Sequence, residues 1–280
     1  MTTPPSDLAL IAGAVLWGAM AGALLPRAVY RFSVPWEERD GGWRASCPGG
    51  HPIRGWLGRA GCDRCAEAGA PSPAPGTPSY APGTPSYAPG THSYGPGTHS
   101  YGPGAPRYAV LTALVCAALA AATGPRPELA VWLLLAPVGV LLTAVDLRVR
   151  RLPDPLTLPL AAAALVLLGA AALLPEHAGD WTTALLGASA LGGGYLVLHL
   201  VNPGGMAYGD VKLALPAGAV LGWYGWATLM LGTFAAFLLG ALYGGALVVV
   251  GRAGRKTTIA FGPFMLAGTF AGLLIGAYAA

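Results

Sequence analysis

Eight apolar runs separated by short loops leave this chain few ways to fold. They fall at Leu8 to Val29, Tyr108 to Thr123, Leu129 to Val145, Pro155 to Leu174, Trp181 to Val201, Val211 to Tyr224, Trp226 to Val250 and Thr258 to Ala279. Several come near the ~20 residues that carry a helix across a hydrocarbon core. Within a bilayer each backbone N–H and C=O must be satisfied inside the segment, so such runs fold as helices. The run from Val211 to Tyr224 is short and is expected to tilt into a cavity or pack inside the bundle. Charged residues make up 10% of the 280 residues and hydrophobic ones 54%, too few charges to solvate a globule of this length. The expected fold is all-α, a polytopic membrane bundle of about eight transmembrane helices with a small cytoplasmic loop domain between helices one and two. Residues 1–29 hold the first transmembrane helix, 30–70 a cytoplasmic knuckle, 71–107 a repetitive linker, and 108–280 the main membrane domain.

Orientation follows from the cations, because cytoplasmic loops carry the excess of Lys and Arg. With the N-terminus outside, fifteen of the sixteen basic residues are cytoplasmic and only Arg126 is not. Met1 to Leu8 has no basic residue and Arg27 follows the first apolar run, the charge order of a retained span and not of a cleaved signal peptide. The net charge of +4 lies in short loops and forms no continuous patch, so no nucleic-acid partner is expected; the partner is the lipid bilayer of the cell membrane.

Two carboxylates stand where apolar runs meet the cytoplasmic edge. Asp146 ends the run to Val145 and is followed by Leu147-Arg148-Val149-Arg150-Arg151-Leu152-Pro153-Asp154; Asp210 lies in Met206-Ala207-Tyr208-Gly209-Asp210-Val211-Lys212. An ionisable group at a membrane edge is costly and suggests function. Each acid has a structural reading as well: Asp146 paired with Arg148 or Arg150, and Asp210 as N-cap of the helix that follows. Intramembrane acids also suit a proton- or ion-coupled transporter, although no internal repeat is visible between the halves. No Ser-His-Asp set, His-Glu-x-x-His, P-loop or dinucleotide fingerprint occurs.

These pieces, with Phe261-Gly262-Pro263-Phe264 near the C-terminus, resemble the type IV prepilin peptidases, polytopic aspartic peptidases with a Gly-x-Gly-Asp motif. The resemblance implies an endopeptidase that removes short leaders from prepilin or pseudopilin substrates on the cytoplasmic side. Asp146 and Asp210 would be the catalytic pair, one carboxylate polarising water while the other protonates the departing amide, with no cofactor in the chemistry. Gly209 would let backbone approach the scissile peptide, Lys212 would stabilise the pair or the substrate, and Phe261, Gly262, Pro263 and Phe264 would shape the cleft. Asp154 would cap the helix after it. Ala207 replaces the first motif glycine, which is tolerable where φ is negative. Bifunctional members also methylate the new N-terminus with S-adenosylmethionine. Thr112 stands here at the family's glutamate, so methyltransferase activity is expected to be vestigial or absent.

The knuckle holds Cys47-Pro48-Gly49-Gly50-His51 and Cys62-Asp63-Arg64-Cys65. The resemblance implies two Cys-x-x-Cys pairs, and Gly50 occupies the place of one cysteine. Either His51 completes a structural Zn²⁺ site with Cys47, Cys62 and Cys65, or the loop is a degenerate polar turn. Cys116, in the second span, is expected to be inert packing. Pro78 to Ala105 repeats a seven-residue unit rich in Pro, Gly, Ser and Tyr, whose prolines forbid a helix, and is expected to be a flexible linker.

Overall fold

The computed structural model describes residues 5–34, 42–67, 100–251 and 259–280. The repeat tract, up to residue 99, lies outside them. Ten helices occur among the described residues: α1 Pro5–Ala23, α2 Leu25–Phe32, α3 Asp63–Glu67, α4 Ala105–Thr123, α5 Glu128–Val149, α6 Asp154–Ala171, α7 Trp181–Val201, α8 Tyr208–Gly222, α9 Trp226–Val249 and α10 Gly262–Ala279. Seven of them, α1, α4, α5, α6, α7, α9 and α10, are long and apolar enough to cross a membrane. The expected eighth is α8. It has 15 residues, and nearly all those after Gly209 are buried, so it packs inside the bundle rather than facing lipid along its length.

The first apolar run does not form one helix. It breaks at Leu24, and α2 begins with Pro26 in its first turn, where a missing N–H costs nothing. The reason lies in what α2 touches. Leu25, Ala28, Val29 and Phe32 pack on Val140, Leu141, Ala144 and Val145 of α5. Its arginines turn to the knuckle: Arg27 Nη1 donates to Arg54 O at 2.9 Å and Arg31 Nη1 to Gly55 O at 2.7 Å. Phe32 stacks on Trp56 at 5.0 Å, and the Arg31 guanidinium lies 3.8 Å above that indole. The knuckle is thus fastened to the aspartate end of α5 through α2.

Helices in lipid gain little from hydrophobic burial against one another and rely on close packing. Here glycines set the closest approaches. A Cβ at Gly18 of α1 would fall 2.6 Å from Thr112 O on α4; one at Gly187 of α7, 2.6 Å from Gly218 O on α8; one at Gly268 of α10, 2.5 Å from Gly232 O on α9. Three pairs, α1 with α4, α7 with α8 and α9 with α10, are therefore held backbone to backbone. Of the glycines 192–194, only Gly192 meets a neighbouring helix, at Leu215; Gly193 and Gly194 face open space.

Candidate active site

Asp146 and Asp210 come together between the end of α5 and the start of α8. Both side chains are buried, and they lie close enough for the charge of one to act on the other. Asp146 sits in the last turn of α5, whose C-cap, Arg150, adopts a left-handed conformation (φ 51°) that turns the chain toward α6. Its carboxylate rests against the first turn of α10, facing the Gly262 N–H. A Cβ at Gly262 would fall 2.6 Å from Asp146 Oδ2, so only glycine leaves the carboxylate its place. That Oδ2 is buried and has no hydrogen-bond partner among the described residues, which suits an oxygen meant for water or substrate.

Asp210 is not the N-cap of α8. Ala207 is, and Asp210 lies three residues further on, its carboxylate reaching back to the Ala207 N–H. Ala207 has φ −72° and ψ 145°, an extended conformation that any residue adopts, so the alanine in place of the motif glycine strains nothing. Gly209 acts through close contact: a Cβ there would stand 3.1 Å from the Leu152 Cβ. Lys212 makes its ion pair with Asp154, at 2.6 Å, and lies 4.7 Å from the Tyr208 ring centroid. Asp154 opens α6 after Pro153, which is the N-cap, and makes no cap hydrogen bond there.

The four residues near the C-terminus divide. Phe261 caps α10 and joins Tyr195 and Phe237 in an aromatic group, with centroids 5.3 to 6.3 Å apart. Gly262 touches Asp146. Pro263 occupies the first turn of α10 and lines an apolar cavity of about 250 Å³ with Thr143, Leu213 and Pro216. Phe264 turns to Tyr243 of α9, 5.2 Å away. Sequence reasoning missed Tyr195, a buried phenol of α7 near enough to sense the Asp210 charge. Nothing in its apolar run marks it, because its neighbours come from α8, α9 and α10. His199, half-buried, donates from Nδ1 to Met206 O at 2.8 Å and so steadies the loop that leads into Asp210.

Cys47, His51, Cys62 and Cys65 converge, their donor atoms all within 4.8 Å of one another. Cys47 Sγ stands 3.7 Å from Cys65 Sγ, and His51 Nδ1 lies 3.6 Å from Cys47 and Cys62 and 3.2 Å from Cys65. The edges of a tetrahedron with Zn–S of ~2.3 Å and Zn–N of ~2.0 Å are ~3.5–3.8 Å, so the donors fit zinc. Gly50 has φ +79° in the turn closed by Gly50 N–H to Cys47 O at 2.9 Å. That conformation favours glycine and moves the fourth donor on to His51. The Cys65 N–H draws the Cys62 thiol below its ordinary range, whereas burial and the neighbouring sulfurs push Cys65 up to about 12. Three crowded thiols of this kind suit a bound cation.

A multi-pass helical membrane protein with two buried aspartates at one end of its bundle is the class these features define. Residues 128–245, which carry both aspartates, match the type IV leader peptidase family. The chain is 37% identical over 181 residues to a prepilin leader peptidase/N-methyltransferase of Aeromonas hydrophila, covering 61% of this chain and 58% of that protein. A protein of the same name from Escherichia coli (strain K12) is 36% identical over 143 residues, 47% of this chain and 57% of the relative. One from Bacillus subtilis (strain 168) is 37% identical over 110 residues, 38% of this chain and 42% of the relative. The chain thus spans less than two thirds of the length of these relatives. No solved structure matches it.

Proposed function

We propose that this protein is an aspartic endopeptidase of the membrane that removes short leaders from prepilin-like substrates at the cytoplasmic face. The observation that carries the reading is the burial of the Asp146 and Asp210 carboxylates within reach of one another's charge, with Asp146 set against Gly262. In such a pair one carboxylate takes a proton from water as it attacks the scissile carbonyl, and the other gives a proton to the leaving amide. Gly209 and Gly262 keep side chains out of the space around the pair, and Phe261 with Tyr195 walls it with apolar surface. Lys212 acts on the mouth of the site through Asp154 and Tyr208. The excess of arginine around this end supports a cytoplasmic location.

Zinc, where bound by Cys47, His51, Cys62 and Cys65, cross-links the knuckle and takes no part in hydrolysis. Thr112, standing where the family has a glutamate, is fully buried with its Oγ1 facing Gly22 of α1, and supplies no carboxylate for methyl transfer. The relatives lend nothing to the transporter alternative.

The test is incubation of the reconstituted protein with a prepilin and measurement of product masses. Wild type should release the leader, and Asp146→Asn and Asp210→Asn should each lower the rate by about 10³-fold or more, since neither acid replaces the other. Ion flux on the same vesicles, without cleavage, would establish the transporter instead.

A further inference from the structure

A second polar cluster lies at the end of the bundle opposite the aspartates. Glu128, at the start of α5, is fully buried. Its Oε1 accepts from the Ala178 N–H at 3.3 Å and the Tyr224 hydroxyl at 3.4 Å, and lies 3.8 Å from Arg126 Nη1. Arg126 in turn donates from Nε to Thr123 O at 2.7 Å and from Nη2 to Ala277 O at 2.6 Å. Trp132 of α5 and Tyr224, just beyond α8, hold their ring centroids 6.1 Å apart. One carboxylate and its guanidinium therefore join the ends of α4, α5 and α10, the loop after α6 and Tyr224, two residues past the end of α8.

This cluster is not arranged for stability. Glu128 Oε2, Arg126 Nη1 and the indole nitrogens of Trp132 and Trp223 are buried without hydrogen-bond partners among the described residues. Apolar side chains of similar volume often do as well or better than a buried ion pair, and the best attested use of such a pair is to fix register. Glu128 and Asp146 lie at opposite ends of α5, roughly 27 Å apart along the helix, and Tyr224 stands roughly 21 Å along α8 from Asp210. Each helix has a proline between its two ends, Pro137 in α5 and Pro216 in α8. Each proline removes one i→i−4 hydrogen bond and lets its helix flex midway. Between those ends α5 and α8 do not pack backbone to backbone but face one another across the apolar cavity lined by Gly139, Thr143, Leu213 and Pro216, so the contact beyond both prolines joins two helices that close packing does not tie directly.

We infer that Glu128 is a positioning residue for the aspartate pair, fixing the axial register of α5 against α8 from their far ends. The inference rests on the peptidase reading for its kinetic consequence. Displacement on the order of 1 Å at reacting groups costs about 10²-fold, so a partial loosening has a readable effect.

The experiment uses the full chain in lipid vesicles, with Glu128→Gln and Tyr224→Phe. Glu128→Gln keeps the shape and an acceptor but releases Arg126; it should lower kcat about tenfold with KM within about twofold. Tyr224→Phe removes one hydroxyl and should lower kcat by a smaller factor in the same way. A second readout needs no peptidase activity. Cysteines at Leu152 and Gly209, where the two Cβ positions lie 3.1 Å apart, report the packing of α8 on the segment after α5 through their rate of disulfide formation. That rate should fall severalfold when Glu128→Gln is added. Unchanged kcat, or cleavage lost with cross-linking unaltered, would overturn the positioning role. If wild type cleaves no prepilin, the peptidase reading fails, while the cross-linking rate still decides whether Glu128 sets the register.

Discussion

At Gly262 a single methyl group competes with a carboxylate oxygen for the same volume. Gly262→Ala should therefore impair cleavage about as badly as misplacing an aspartate, by roughly 10²-fold, while the protein inserts and is recovered normally. Prepilin turnover by the purified variant, normalised to protein in the membrane fraction, checks this; near wild-type turnover would mean that Asp146 has room to move. Asp154 makes the opposite case. Its ion pair with Lys212 is 60% exposed on the aspartate side, and a pair of that kind is worth about 0–1 kcal/mol. Asp154→Asn should keep most of the cleavage rate. At this scale the two aspartates were legible because charges at membrane edges are rare and their flanking motifs unusual. Lys212 was placed near the pair by its position in the motif, and sequence could not show that its long side chain reaches Asp154 instead. Glu128 obeys the rule that singled out Asp146, an acid at the edge of an apolar run, but no flanking motif marks it.

Among the elements, the knuckle gives the sharpest prediction. Purified protein should hold one zinc, and Cys62→Ser should lose it, as read by elemental analysis. Because burial and the neighbouring sulfurs push the Cys65 thiol up, and zinc binds thiolates, loading must displace protons. Zinc affinity should therefore weaken as pH is lowered, and addition of zinc to the chelated protein should acidify a weakly buffered solution. Absence of zinc from full-activity protein would leave the knuckle a polar loop. Spans were legible from length and apolarity alone, to within a few residues. The break at Leu24 was not, since Leu24, Leu25 and Pro26 continue an apolar run; it exists because α2 has to present one side to α5 and its arginines to the knuckle. The glycine seams were half legible. Glycine richness showed that helices approach closely, yet which glycine meets which backbone depends on partners far away in sequence, and Gly193 and Gly194 meet none.

Taken as a whole, the molecule joins a dense bundle to a repetitive sequence tract. The end of the repeat, residues 100–105, is packed: the Tyr101 N–H donates to Ala60 O at 2.8 Å, its ring centroid lies 4.6 Å from that of Tyr30, and Ala105 opens α4. Removing residues 78–99 should leave membrane insertion and cleavage intact, because loop-closure cost changes by only about 0.6 kcal/mol per doubling of length. Loss of cleavage at normal expression would give the tract a direct part in substrate handling. The class of fold was legible from hydropathy; the way α5, α8 and α10 converge was not, for nothing in one helix states which others it will meet. That convergence bears on how the protein is made. Asp146 and Asp210 are both synthesised before Gly262, but the wall behind the Asp146 carboxylate comes from α10, which follows them by some fifty residues or more. A chain still on the ribosome with α10 unfinished has both acids in hand and lacks the surface that sets one of them against the other. On the proposed function, a chain truncated before α10 should therefore insert with both acids present and cleave no prepilin, which turnover by such a truncated chain in vesicles checks.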